Sequence, residues 1–250
     1  MARTADFYEY LNGLAPFSTQ EEWDNSGLLA GDISSEVRSA AVTLDITPEI
    51  IERADRLGAN LIISHHPVIF GGIKALKKDS APYMLAEKGI DAICCHTPLD
   101  MADSGTNDAF ADLLGFEAYK GNDPLLRFAE IDGTTAPALA AMIAEKTGSP
   151  VRYADAGKKI KKIALCTGSG CSLMPEAHDA DAFITGDASH HDFLDALAEG
   201  LTLIAAGHYE TEIHVVPALC KKLKERFPDV PVYDLGQENP VKITGQRHGA

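Results

Sequence analysis

Apolar positions along the chain follow two spacings, one typical of strands and one typical of helices. Short unbroken apolar runs, of which Leu61-Ile62-Ile63 is the clearest, indicate buried strands. Between these runs, apolar residues recur three or four positions apart, as at Ile50, Ala54 and Leu57, which is the spacing of an amphipathic helix. The repeated alternation of strand and helix predicts an α/β fold whose sheets contain parallel neighbours joined by right-handed crossovers.

Local sequence fixes the ends of several predicted elements. Thr47 followed by Pro48 predicts a helix start, because threonine caps helices and proline fits their first turn. Gly89 predicts the end of another helix. The polar, glycine-containing stretch 22–32 is interpreted as a turn. The predicted helices cover 4–15, 47–58, 81–88, 106–114, 136–146, 173–179, 192–198 and 213–227, and the predicted strands cover 40–45, 60–66, 90–95, 126–131, 151–153, 161–166, 182–185 and 201–206.

Three further features refine this outline. The segment Thr106-Asn107-Asp108 is predicted to cap the helix that follows it. Pro217 lies inside the apolar stripe of 213–227, which predicts either a kink or a later helix start. The stretch 119–124 is polar and rich in turn-forming residues, so it is a candidate domain boundary.

Composition narrows the class of protein. With 250 residues, 45% of them hydrophobic, the chain can form one large or two modest globular domains. A net charge of −15 argues against binding to nucleic acid or to an anionic membrane, because both need a basic surface. The first residues lack the apolar core of a secretory signal and no apolar run could span a bilayer, so we expect a cytoplasmic protein. The five cysteines lack a C-x-x-C pair, which predicts buried thiols and no disulfide framework.

Histidine and aspartate residues directly follow several of the predicted strands. His65 and His66 end the strand of 60–66, and similar transitions from apolar to ligand-type residues occur in Ile93–Asp100, Phe183–Asp187 and Leu203–Glu212. In open α/β folds, ligands bind at the edge where the carboxyl ends of the strands gather. We therefore expect these side chains to converge on one functional site.

The residue types and spacings favour a site for two metal ions. Neighbours on an extended segment point to opposite sides, so His65 and His66 suit two adjacent ions better than one. His208 and Glu212 are four residues apart, which places them on one face of a helix, and Asp100 adds a carboxylate. Imidazole and carboxylate ligands without thiolate suit zinc, manganese, iron or cobalt. Two divalent ions bound by neutral histidines and two carboxylates would leave roughly two positive charges uncompensated. This charge is enough to activate water and to attract an anionic substrate.

Plainer interpretations compete with this prediction. A buried histidine is usually a hydrogen-bonded core residue and not a metal ligand. The loop Thr167-Gly168-Ser169-Gly170 could cradle a phosphate, but it lacks the complete nucleotide-binding motifs and a simple turn is the preferred interpretation. Ser189-His190-His191 follows Gly186-Asp187 and begins a predicted helix. Ser189 or Asp187 is therefore a candidate helix cap, and the alternative is a position near the site.

Six segments together carry a specific pattern: Trp23–Leu28, Ser64–Phe70, His96–Asp100, Gly105–Asp108, Ile184–Asp187 and Gly207–Glu212. In these segments and their order, the chain resembles the GTP cyclohydrolase I type 2 family, also described as the NGG-interacting-factor-3-like family. The resemblance covers nearly the whole chain. It implies two α/β domains with mixed, mostly parallel sheets, in a ring-shaped homohexamer. It also implies that the C-terminal segment returns to the first domain, giving a metal-binding domain of 1–122 plus 206–250 and a second domain of 123–205.

The resemblance also implies roles for individual residues. One ion would bind His66, Asp100 and Glu212, and the other would bind His65 and His208, with Glu212 bridging the two. His96 has no ligand role in this arrangement, and we expect it to act as a general acid or base or as a structural partner.

Asp24 and Asn25 are expected to face the cavity and bind substrate. The family's activity would be the hydrolytic opening of the guanine ring of GTP with release of formate. The expected partner is therefore a small, phosphorylated molecule, with no nucleic acid or membrane involved. The alternative is a non-catalytic protein that binds metal for regulation or delivery, since a shared scaffold does not determine the substrate.

Overall fold

A computed structural model describes residues 1–244 and contains two mixed sheets. The strands of the first sheet are β1 (Gly27–Ala30), β2 (Ala40–Thr43), β3 (Leu61–Ser64), β4 (Asp91–Cys94) and β11 (Val232–Asp234). Their order in the sheet is β1-β4-β3-β2-β11. Strands β4, β3, β2 and β11 are parallel to one another, whereas β1 pairs with β4 in the antiparallel sense.

The strands of the second sheet are β5 (Tyr119–Lys120), β6 (Arg127–Thr134), β7 (Arg152–Ala154), β8 (Ile160–Cys166), β9 (Ala182–Thr185) and β10 (Thr202–Ala205). Their order in the sheet is β5-β6-β8-β9-β10-β7. Strands β8, β9 and β10 are parallel, and the pairs at either side of them are antiparallel. The prediction of an α/β fold with mixed sheets is confirmed.

Helices cover both faces of each sheet. They are α1 (Thr4–Leu14), α2 (Pro48–Arg56), α3 (Ala81–Lys88), α4 (Thr97–Met101), α5 (Thr106–Leu114), α6 (Ala136–Thr147), α7 (His190–Ala198), α8 (His208–Glu212) and α9 (Val215–Arg226). Helices α1 and α9 pack on the face of the first sheet that presents Leu61 and Ile63, and α2 and α3 pack on the face that presents Ile62. The alternating side chains of one buried strand therefore supply two separate cores. In the second sheet, α5 and α6 cover one face and α7 covers the other.

Several helix ends follow the predicted chemistry. The Thr47 side chain accepts a hydrogen bond from the backbone N–H of Ile50, as expected for a helix cap. Helix α3 ends at Gly89, which has a left-handed backbone with φ of 63°. Pro217 falls within the first turn of α9, so the later start is the correct alternative.

Other local predictions are wrong. The stretch 22–32, predicted as a turn, contains β1, because Gly27–Ala30 pairs with β4 at the edge of the sheet. Local turn propensity cannot predict a pairing with a strand so distant in sequence. Thr106 is the first residue of α5 and not its cap, and Gly105 occupies the cap position. The segment predicted as a helix over 173–179 is a 3-10 helix over Gly170–Ala177. Helix α4 and the short strands β5 and β11 were not predicted.

The C-terminal part of the described chain returns to the first sheet. After α9, β11 runs parallel to β2, with Val232 opposite Ala40. This return is the one expected from the family resemblance. The domain limits of 1–122 plus 206–250 and 123–205 stay a prediction. Within residues 1–244, no helix combines the length and the apolar character needed to cross a membrane.

Candidate metal centre

The parallel strands of both sheets deliver the site residues from their carboxyl ends. In the first sheet, His65 and His66 follow β3 immediately, and His96 follows β4. In the second sheet, β10 is followed by α8, which carries His208 and Glu212 one turn apart. The two sheets thus contribute side chains to one cluster.

Glu212 lies at the centre of this cluster. Its Oε2 atom is 2.9 Å from His66 Nε2 and 3.1 Å from His208 Nε2. Its Oε1 atom is 3.8 Å from His65 Nε2, which in turn is 3.5 Å from Asp100 Oδ1. The structure therefore groups His66 with His208 and groups His65 with Asp100. The resemblance implied a different grouping, with His66 beside Asp100 and His65 beside His208.

Each imidazole of the cluster is held through its Nδ1 atom. His65 Nδ1 is 2.9 Å from the Cys95 carbonyl oxygen. The other three contact carboxylates: His66 Nδ1 to Asp45 at 2.8 Å, His96 Nδ1 to Asp24 at 2.7 Å and His208 Nδ1 to Asp187 at 2.7 Å. A fixed Nδ1 leaves Nε2 free to bind a ligand, which is the usual support of metal-binding histidines.

Buried polar atoms without hydrogen bonds provide a test of whether these residues fit a metal. Among residues 1–244, His65 Nε2, Asp100 Oδ1 and Glu212 Oε2 are buried and make no hydrogen bond of acceptable geometry. Such atoms are costly to bury unless a ligand satisfies them. In addition, one potential ligand atom from each of His66, His208 and Glu212 lies within 4.8 Å of the others. The donor set fits divalent transition metals.

The ionisation of the cluster shows how strongly it attracts positive charge. Burial lowers the pKa of His66, but Asp45 and Glu212 outweigh it and raise the pKa to about 10. Burial also lowers the pKa of His208, but contacts with Glu212 and Asp187 outweigh burial and raise this pKa to about 9. Although burial acts to raise it, the pKa of Glu212 falls well below its ordinary value because three histidines contact it. The cluster therefore stabilises cations between its carboxylates.

Asp24 and Asn25 make their side-chain bonds to protein groups. The fully buried Asp24 carboxylate contacts His96 and accepts hydrogen bonds from the Thr97 N–H and hydroxyl. These bonds outweigh burial and hold the pKa of Asp24 well below its usual range. Asn25 Nδ2 donates to the Ile69 carbonyl oxygen at 2.6 Å. Direct contact of either residue with a substrate stays a prediction, as does the acid or base role of His96.

The loop after β8 belongs to the site, although its sequence favoured a simple turn. Gly168 has a φ of +62°, and a Cβ atom there would collide with the Glu212 carboxylate and lie 3.3 Å from His208 Nε2. Glycine is therefore required for the close approach of this loop. Thr211 next to Glu212 accepts a hydrogen bond from the Gly168 N–H at 3.1 Å, which fixes the loop to α8.

The cluster opens into a cavity of about 610 Å³. Its wall includes His66, His96, Asp100, His208 and Glu212, with Trp23 and Phe70 on the same wall. The volume is in the range of small-molecule sites. No lysine or arginine within the described part of the chain lines this cavity.

A family model described as Duf34/NIF3 (NGG1p interacting factor 3) matches residues 2–240. The chain belongs to the Duf34/NIF3 family. One relative of this Duf34/NIF3 protein, from Campylobacter jejuni, is named GTP cyclohydrolase 1 type 2 homolog and is 39% identical over 230 residues, covering 89% of this chain and 92% of that protein. A Helicobacter pylori relative named GTP cyclohydrolase 1 type 2 is 34% identical, covering 85% of this chain and 88% of its own.

Solved structures of Duf34/NIF3 relatives share the fold. The crystal structure of Staphylococcus aureus protein SA1388 superimposes with a TM-score of 0.88 at 30% identity, covering 97% of this chain and 99% of that one. Reduced HcgD from Methanocaldococcus jannaschii gives a TM-score of 0.83 at 25% identity, covering 94% of this chain and 98% of that one.

Two supporting carboxylates were missed or left undecided by the sequence. Asp45 follows β2 and Asp187 follows β9, so both have the same position after a strand as the histidines that they hold. That position was the available indication. Ser189 is confirmed as the cap of α7, since its hydroxyl accepts a hydrogen bond from the Asp192 N–H. His190 and His191, the first residues of α7, are exposed.

Proposed function

We propose that this Duf34/NIF3 protein is a hydrolase that depends on two divalent metal ions, held by His65, His66, Asp100, His208 and Glu212. The observation that carries the proposal is the group of buried ligand atoms around Glu212 that lack hydrogen bonds. When bound, such ions supply Lewis acidity and lower the pKa of a water molecule. The names of the Campylobacter and Helicobacter relatives favour GTP as the substrate, with ring opening and release of formate.

The chain's own residues provide positioning and proton transfer in this proposal. A ring nitrogen of His96 lies within 4.8 Å of those of His65 and His66, so it reaches the place where a substrate would meet the ions. Asp24 holds the His96 ring through Nδ1 and thereby orients the other nitrogen toward its neighbours. We assign to His96 the movement of a proton to or from the substrate. His65, buried against the Cys95 carbonyl oxygen, excludes water from the rear of the site.

A second candidate function is metal binding for regulation or delivery, without catalysis. One observation favours it: the cavity wall within residues 1–244 has no lysine or arginine to hold phosphate groups. A polyphosphate group bound within this cavity would therefore depend on the ions and on backbone or hydroxyl donors.

The two functions are separated by one experiment. Protein loaded with manganese or zinc would be incubated with GTP and a panel of phosphate esters, and formate and phosphate release would be measured. We expect turnover by the wild type and its loss in His66→Ala. His191→Ala is the control, because His191 is an exposed histidine on α7 that does not line the cavity. Tight binding of two ions with no turnover of any substrate would support the second candidate instead.

Assembly and location extend the proposal. We propose that the protein forms a ring-shaped homohexamer in the cytoplasm and acts on a small molecule, without nucleic acid or membrane as partners. Size-exclusion chromatography with light scattering tests the assembly directly. A monomer at micromolar concentration would contradict it.

A further inference from the structure

We infer that Trp23 and Phe70 form a stacking site for a planar nitrogen heterocycle at the entrance of the cavity beside the candidate metal centre. The inference deepens the proposed function and rests on it for the reaction that the bound ring would undergo. Binding of the ring itself can be measured without any turnover. It is carried by the exposure of the two aromatic side chains, their geometry relative to His96, and the charge of the cavity wall.

The two aromatic side chains are unusually open to solvent for their size. Trp23 is 56% exposed and Phe70 is 54% exposed, and both line the cavity. Exposed apolar groups that line a concave surface commonly mark a binding site. Their ring centroids are 5.8 Å apart with planes inclined by 34°. His96 meets Trp23 at 77° and Phe70 at 73°. The three rings thus form an open corner with two aromatic surfaces beside the proposed proton-transfer residue.

Hydrogen bonds fix this corner before any ligand binds. Asn25 Nδ2 donates to the Ile69 carbonyl oxygen at 2.6 Å, which ties the residues next to Trp23 and Phe70 together. Asp24, which follows Trp23 in the chain, contacts His96 Nδ1 at 2.7 Å and so connects Trp23 to the third ring. A preformed aromatic site loses little conformational entropy when a ring enters. The segment Trp23-Asp24-Asn25 therefore combines a stacking residue with the two residues that set its position.

The charge of the wall indicates which kind of ring would bind. Besides the metal ligands Asp100 and Glu212, the wall includes the carboxylates of Glu21 and Asp123 and, within residues 1–244, no lysine or arginine. Carboxylates accept hydrogen bonds, so they complement a ring that carries N–H donors. The cavity of about 610 Å³ accommodates a molecule of nucleoside size. We therefore expect purine bases to bind through their ring and not through their phosphate.

The single tryptophan of the chain makes the test direct, because Trp23 supplies all of the tryptophan fluorescence. The metal-loaded protein would be titrated with guanosine 5′-monophosphate and, separately, with ribose 5-phosphate. Free N-acetyltryptophanamide corrects for light absorption by the base. We expect the nucleotide to quench the fluorescence saturably and ribose 5-phosphate to have no effect.

A pair of variants tests the stacking contribution. Phe70→Leu keeps an apolar side chain but removes the aromatic surface, and should weaken nucleotide binding roughly tenfold or more, as expected for loss of one stacking partner. Leu76→Ala is the matched control, because Leu76 is 54% exposed and does not line the cavity. Its affinity for the nucleotide should equal that of the wild type.

Three results would overturn the inference: equal quenching by ribose 5-phosphate, no saturable quenching by the nucleotide, or unchanged nucleotide affinity in Phe70→Leu. The outcome is distinct from that of the proposed function. Nucleotide quenching that depends on Phe70, without turnover, leaves the ring site intact and removes the hydrolase. Turnover of GTP with an unchanged KM in Phe70→Leu would support the hydrolase and remove the ring site.

Discussion

The two sheets contribute to the candidate metal centre in different ways. The first sheet places His65 at 1% exposure and His66 at 21%, and a backbone carbonyl group holds His65. The second sheet supplies His208 at 37% exposure, held by Asp187, which is itself 56% exposed. A ligand fixed by buried backbone has little freedom, whereas a ligand fixed by a surface carboxylate can move. His65 of the first sheet is therefore held rigidly, whereas His208 of the second sheet closes the site from the solvent side.

Removal of Glu212 should have the largest effect, because its two carboxylate oxygens contact both groups of ligands. We expect Glu212→Gln to lose both ions, with affinities reduced beyond the roughly 10–100-fold range typical of supporting residues. Elemental analysis after gel filtration measures the metal content. Glu210→Gln is the control on the same helix, because Glu210 bonds to Ser149 and Asn239 instead. Retention of one ion by Glu212→Gln would contradict a shared carboxylate.

Single histidine variants compare the two sheets directly. His65→Ala and His208→Ala should each lower the metal content from two ions to one. Their stabilities should differ: the loss of buried His65 leaves a cavity and unpaired carboxylates, which we expect to lower the free energy of unfolding of the metal-free protein by about 2–4 kcal/mol. The half-exposed His208 should contribute less, because solvent screens its ion pairs with Glu212 and Asp187. Equal losses in urea unfolding would remove the distinction between the sheets.

The metal affinity should depend steeply on pH. In the metal-free protein the pKa of His66 is raised to about 10 and that of His208 to about 9, so both carry protons at neutral pH. Metal must displace these protons, and the apparent affinity should rise up to roughly 100-fold per pH unit. Calorimetry in buffers of different ionisation enthalpy counts the protons released. An affinity that stays constant between about pH 6 and 8 would contradict this prediction.

The same protons on His66 and His208 stabilise the metal-free fold, and this stability should fall as the pH rises because both pKa values are raised in the folded state. A raised folded-state pKa gives stability that is complete below the ordinary value of 6.5 and is lost as the pH rises through about 9 and 10. Chemical unfolding of metal-free protein at several pH values measures this loss.

The supporting carboxylates should have the smallest effects. Asp45→Asn and Asp187→Asn keep an acceptor for the Nδ1 atom but remove the charge that increases the basicity of the imidazole. We expect roughly 10–100-fold weaker metal binding in Asp45→Asn and only a severalfold loss in Asp187→Asn, whose carboxylate is more solvated. Competition with a chromogenic chelator measures both. A larger loss of metal affinity in Asp187→Asn than in Asp45→Asn would contradict the expectation that His208 is the less firmly held ligand.

The ligand types could be predicted from sequence because strand ends gather at one edge of a sheet. His65 and His66 interrupt an apolar run, and this position alone indicates where they lie. Helices α3 and α6 were predicted closely because a left-handed glycine ends each of them. These predictions depend on interactions within one segment.

What the sequence could not provide depends on partners distant along the chain. β1 forms only because β4 offers an edge, and β11 has three residues, too few for a recognisable alternation. The grouping of His66 with His208 depends on the position of the second sheet relative to the first. Likewise, the need for glycine at position 168 arises from the Glu212 carboxylate, which lies 44 residues further along the chain.

The return of the chain to the first sheet has a consequence for biosynthesis. His65, His66 and Asp100 are translated early, but the carboxylate they share comes from residue 212 of a chain of 250. A growing polypeptide on the ribosome consequently has no complete site until α8 has been synthesised. Binding of both ions must then follow the synthesis of α8, and a product that terminates before residue 212 would compete poorly for the cell's ions.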